Sequence, residues 1–208
     1  MGRFFNFEGP VFGFFDRASD IVILNIVFII CCLPVFTVGA AITALSSVTQ
    51  KMARKEEGYI VRGFLKSFKQ NFLQATAIWM ILLLFGIAFL LDLRIMGQPE
   101  AGAIFRWLKY PVFILVPVYL FECLYVFPVL AKFENTLFNT MRNALLIAIK
   151  NLPWTVLLLL VAVIPFIALY YYTQVMVPVF VFAGFSLMSL LSSYIFKRLF
   201  DPLIDEEK

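Results

Sequence analysis

The chain has 208 residues, of which 62% are hydrophobic and 14% charged, with a mean hydropathy of +0.94 and a net charge of +4. A soluble domain carries roughly a quarter charged residues, so the balance excludes a soluble enzyme or nucleic-acid-binding module and predicts a single transmembrane domain over 1–208. The absence of His removes the commonest metal ligand and neutral-pH acid–base group, while Cys31, Cys32 and Cys123 sit in apolar runs that suggest no disulfide framework.

In chain order, Phe4, Phe5, Phe7, Phe12, Phe14 and Phe15 around Gly9-Pro10 form an aromatic lead-in expected at the inner headgroups. Glu8, Asp16, Arg17 and Asp20 precede the first apolar run, a pattern unlike a cleavable signal. Residues 21–50 carry no charge and as one helix would reach about 45 Å, long for one crossing. Pro34 interrupts the run, Thr37 can cap a new helix and Gly39 loosens the backbone. The pattern therefore predicts a span at about 20–34 and a second helix at about 38–55. Ala40, Ala41, Thr43, Ala44, Ser46, Ser47 and Thr49 give that second helix the small surface that lets helices approach closely in lipid.

Next, Ile60, Phe64, Phe68 and Phe72 recur every four residues while Arg62, Lys66 and Lys69 face elsewhere. This predicts a cytoplasmic amphipathic helix near 59–72, either lying on anionic headgroups or docking a cytoplasmic partner. Residues 70–91 and 110–131 are each the length of one span, the latter broken only by Glu122. From Asn151 to Phe196 there are 46 residues without a charge, about 69 Å as one helix, so this stretch must fold back. Gln174 with Pro178 is the expected break. The sum is an all-α polytopic bundle of six transmembrane helices, or five if residues 21–50 cross once.

With both termini cytoplasmic, fourteen Lys and Arg fall inside, and only Arg94, Arg106 and Lys109 fall outside. A short internal similarity supports six helices: residues 66–70 resemble residues 139–143, at an offset of 73. Leu137, Met141, Leu145 and Ala148 make a fainter amphipathic counterpart in the second copy.

Glu122 is the one acid deep in a span, where an unpaired carboxylate costs about 2.5–3.5 kcal/mol on insertion scales. It is a candidate intramembrane polar site together with Asn25, either contacting a proton or substrate, or neutral or bonded to Asn25, Ser46 or Thr49. Pro111, Pro117, Pro128, Pro153, Pro165 and Pro178 kink helices that could line a pathway or merely shape a bundle. No nucleophile elbow, phosphate loop or zinc pattern is present, so no cofactor and no catalysis are expected.

Phe5-Asn6-Phe7-Glu8-Gly9-Pro10, Leu24-Asn25, Cys31-Cys32-Leu33-Pro34 and Thr37-Val38-Gly39 resemble the opening of the YesL family. So do Glu56-Glu57-Gly58-Tyr59 and Ser67-Phe68-Lys69-Gln70-Asn71-Phe72, followed by Gln74-Ala75 and Trp79. The resemblance covers roughly 4–80 and, beyond that, rests on hydropathy and the 134–153 segment. It implies a small bacterial plasma-membrane protein encoded beside carbohydrate ABC importers, and it supplies no site residues.

The leading expectation is a non-enzymatic accessory of such an importer, meeting its permease or ATPase through helix 59–72. The chain lacks the EAA–Gly loop of the permeases themselves. A small autonomous transporter or channel using Glu122 is the alternative, and a membrane sensor or scaffold for sugar-gene regulation a weaker one. The Phe-rich surface suits either lipid or a second copy of the chain.

Overall fold

The structure, a computed structural model, describes residues 10–56, 58–96 and 103–206, with side chains left out of account at 10–15, 93, 95–96, 103–113 and 203–206. The helices are α1 (Pro10–Cys32), α2 (Val38–Ala53), α3 (Ile60–Met96), α4 (Ala103–Lys132), α5 (Leu137–Lys150), α6 (Leu152–Tyr171), α7 (Thr173–Val179) and α8 (Phe185–Glu206). A 3-10 turn at Val35–Thr37 joins α1 to α2. The π turn Phe180–Gly184 joins α7 to α8 without a break, since Val179, Phe180 and Phe185 all keep helical dihedrals. No strand occurs among the described residues.

Among the described residues, four stretches are long and apolar enough to cross a bilayer: Ile60–Asp92, Ile114–Lys132, Leu152–Tyr171 and Thr173–Pro202. The chain is a helical membrane protein. The expected count of six is not reproduced: neither α1 nor α2 is among the four, and α2 has only 16 residues, about 24 Å against a core of about 30 Å.

Two boundaries differ from expectation. Helix 59–72 is no separate element: it runs straight into the following span, giving the 37-residue α3, about 55 Å long. No Pro or Gly separates Phe64 from Arg94 except Gly86, so nothing ends the helix at the charged segment. The 46-residue run does fold back, but at Tyr172 (φ −121°, ψ 46°) rather than at Gln174 and Pro178. Pro178 is carried inside α7, close to where the helix widens into the π turn.

α2 is the hub. Gly39, Ala40, Ala41, Thr43, Ala44, Leu45, Ser46, Val48, Thr49, Gln50 and Ala53 are all buried, and α1, α3, α4 and α8 pack around them. The approach to α3 is close at Gly39, where a Cβ would lie 2.5 Å from the Ala75 carbonyl oxygen and 2.6 Å from Trp79 Cβ. Small side chains allow this closeness, which dispersion then rewards in a solvent as apolar as lipid. At its far end α2 closes in a Schellman motif. Lys55 takes the left-handed position at φ 60°, with Lys55 N–H donating to the Met52 carbonyl and Glu56 N–H to the Lys51 carbonyl, both at 3.0 Å.

The ends of the bundle differ in chemistry. Lys51, Arg54 and Lys132 gather at one end beside the start of α3, and Arg54 meets Asp201 of α8 at 2.8 Å. At the other end, Tyr170, Tyr171 and Tyr172 stand exposed at the α6–α7 turn, as aromatic side chains do at headgroup level. At the offset of 73, Ser67 and Thr140 are both buried, as are Ala75 and Ala148, but Phe64 is buried where Leu137 is not and Ala144 where Asn71 is not. The second copy is broken where the first is not. Asn151 (φ −122°, ψ 48°) separates α5 from α6, and Pro153 two residues on cannot donate to a helix crossing that point.

Candidate functional site

Asn25 on α1 is fully buried and faces the π turn. Its amide nitrogen donates to the carbonyls of Phe180 at 3.0 Å and Val181 at 2.8 Å, and its oxygen accepts the Ser186 N–H at 3.0 Å. A π turn displaces the regular backbone ladder, and one amide side chain is the group able to serve both donors and acceptors there. Asn25 therefore holds α1 to the bend between α7 and α8.

Glu122 on α4 is buried at 8% exposure, and its Oε2 has no hydrogen-bond partner among the described residues. The three groups anticipated as partners are engaged elsewhere or do not bond it. Asn25 serves the π turn, while Thr49 on α2 bonds Ser189 and Ser193 of α8, each at 2.8 Å. Asn25 and Glu122 thus share no hydrogen bond, and neither lines the apolar cleft of the bundle.

That cleft, of about 710 Å³, lies between α1, α2, α4, α6 and α8. Phe28, Ile42, Leu124, Phe166 and Phe185 contribute apolar walls, and Ser46, Ser189, Ser192 and Ser193 contribute hydroxyls. Ser46 stood out in the sequence as a small residue of α2, whereas the serines of α8 did not. Their signal is the spacing Ser186, Ser189, Ser193, which puts three hydroxyls on one face of α8.

A second cavity, of about 790 Å³, opens at the basic end between α2, α3 and the α4–α5 connection. Gln50, Asn71, Gln74, Lys51, Arg54 and Lys132 are among its lining. Much of its polarity is already spent internally. Gln50 Nε2 donates to the Pro128 carbonyl at 3.0 Å, Gln74 Nε2 to the Asn135 carbonyl at 2.8 Å, and Asn71 Nδ2 to the Ser67 carbonyl at 3.0 Å. The first holds α2 against α4 and the second α3 against the α4–α5 turn, while the third stays within α3.

The start of α3 carries the remaining candidate residues. Phe64 is fully buried, and Ile60, Phe68 and Phe72 are half-buried, Phe64 packing beside Val48 and Leu45 of α2. Arg62, Lys66 and Lys69 are exposed, with the Arg62 guanidinium 5.2 Å from the centre of the Tyr59 ring. The apolar stripe is thus occupied within the bundle and the basic face is open.

A hub helix ringed by apolar helices, with polar groups spent on joining them, defines a helical membrane protein. Residues 21–93, a little over a third of the chain, match the family described as "Protein of unknown function, DUF624". No curated protein and no solved structure matches the chain.

Proposed function

We propose that this chain is a non-enzymatic partner subunit of a membrane assembly, with its basic end in the cytoplasm. The carrying observation is the face of Arg62, Lys66 and Lys69 on α3, held out by the burial of Phe64 on α2. The excess of Lys and Arg at that end supports a cytoplasmic orientation with both termini inside a bacterial plasma membrane. Because Phe64, Phe68 and Phe72 are engaged within the bundle, α3 is poorly placed to lie flat on lipid, which favours docking over a purely interfacial role. The resemblance to the YesL family makes the permease or ATPase of a carbohydrate ABC importer the partner of choice.

The test is affinity purification from native membranes in mild detergent, comparing the natural chain with Arg62→Glu/Lys66→Glu/Lys69→Glu. Stoichiometric recovery of an importer subunit with the natural chain, and its loss with the variant, is the expected result. Recovery of the natural chain alone would overturn the proposal.

A second reading, a small autonomous transporter, is favoured by the unpartnered Oε2 of buried Glu122. It predicts that Glu122→Gln abolishes proton-coupled flux in dye-loaded proteoliposomes. Equal flux from both proteins would remove it.

A further inference from the structure

The cleft between α1, α2, α4, α6 and α8 is used by neither reading. Its volume of about 710 Å³ lies within the ~300–1,000 Å³ of small-molecule sites. Its lining is strongly partitioned. Phe28, Ile42, Phe166 and Phe185 supply hydrocarbon and aromatic surface, whereas Ser46 and Ser192 present hydroxyls. Thr49, Ser189 and Ser193 satisfy one another, but no protein group bonds the hydroxyl of Ser46 or Ser192 among the described residues. None of the described residues lining the cleft carries a charge.

Each of these facts restricts the occupant. Apolar walls inside a membrane protein are poorly filled by water, which needs several polar partners, and well filled by a hydrocarbon chain. Each free hydroxyl calls for a small group able to donate and accept. An ionised head, such as a carboxylate or phosphate, would enter apolar surroundings with no counter-charge. We infer that the cleft is a binding site for one long-chain, uncharged amphiphile of the fatty-alcohol class. Its chain lies along Phe28, Ile42 and Phe166, and its hydroxyl pairs with Ser46 or Ser192.

The experiment uses the full chain in phosphatidylcholine nanodiscs with a photoactivatable long-chain alcohol. Saturable labelling of about one alcohol per chain is expected, on peptides of α2, α6 and α8. Excess unlabelled alcohol should suppress it at least tenfold more effectively than the fatty acid of equal length in its ionised form. Ala162→Trp, which fills the cleft from α6, should reduce labelling at least tenfold; if that variant does not fold, Ser46→Leu serves instead. Ser46→Ala/Ser192→Ala should weaken binding of the alcohol severalfold while leaving the chain folded. Unsaturable labelling spread over the exposed Leu84 and Phe85 of α3, equal competition by the acid, or labelling unaffected by the filled cleft would each overturn the assignment.

Discussion

The indole Nε1 of Trp79 donates to the Val35 carbonyl at 2.8 Å, fastening the tip of the α1–α2 hairpin to the middle of α3. From Met80 to Met96, α3 continues about 25 Å past this point. Trp79 also lies near the centre of the uncharged 70–91 stretch, so the hairpin tip sits at about mid-depth of that span. With α2 only 16 residues long, the hairpin is expected to enter from the basic end and turn back within the bilayer.

The corresponding prediction concerns Phe36, exposed at that tip. In a chain with Cys31, Cys32 and Cys123 replaced by Ala, Phe36→Cys should react with an apolar maleimide. It should resist a charged, impermeant thiol reagent added from the outside. Rapid reaction with the impermeant reagent would mean that α1 and α2 both cross.

How far the architecture was legible follows from which residues act locally. The fold-back of 151–196 was readable because length alone forbids one crossing. Its position was not, since Gln174 and Pro178 look like a break while the chain actually turns at Tyr172. A proline marks a helix as weakened without saying whether neighbours repair it. Here α7 carries Pro178 without a break, and the π turn beyond it is braced by Asn25, 155 residues away from Phe180; no local pattern announces such a pair. The amphipathic period of 59–72 was correctly visible, but the identity of the surface beneath it was not. Phe64 meets α2 rather than headgroups, a tertiary fact that periodicity cannot carry. Glu122 was conspicuous by charge, whereas the Ser189–Thr49–Ser193 contacts involve neutral residues that sequence reading treats as small spacers.

The close packing at Gly39 leads to a stability prediction. Gly39→Leu must push α2 away from Ala75 and Trp79, because both obstructing atoms belong to backbone or to a Cβ that cannot rotate aside. Overpacking of this kind costs about 1–3 kcal/mol or more. A lowered midpoint in a detergent thermal melt is expected, with Gly58→Leu, where the added Cβ would meet nothing, as the unaffected control.

Replacing Asn25 separates its hydrogen bonding from its volume. Asn25→Leu keeps the size but leaves the carbonyls of Phe180 and Val181 and the N–H of Ser186 without their side-chain partner. The expected loss is about 1–3 kcal/mol, toward the low end if the bent helix relaxes or a lipid-embedded unfolded state finds other partners. Hydrogen exchange should report where it acts. Faster exchange at Ser186, with little change in α3, is the predicted signature, and uniform destabilisation of the bundle would contradict a local clamp.

Lys55 offers a change in the opposite direction. It occupies the left-handed C-terminal position of the α2 Schellman motif at φ 60°, a conformation that costs an L side chain roughly 1–2 kcal/mol and glycine almost nothing. Its side chain is exposed, so removing it forfeits no packing. Glycine's greater freedom in the unfolded chain offsets part of the relief, by about 0.5–1 kcal/mol. Lys55→Gly is therefore expected to stabilise the protein by up to about 1 kcal/mol, raising the thermal midpoint and leaving the bonds from Lys55 and Glu56 to Met52 and Lys51 in place. A fall in the midpoint would show that the lysine charge at this end contributes more than its backbone strain costs, and Lys55→Asn, which keeps a side chain tolerant of the same dihedral, would then separate the two effects.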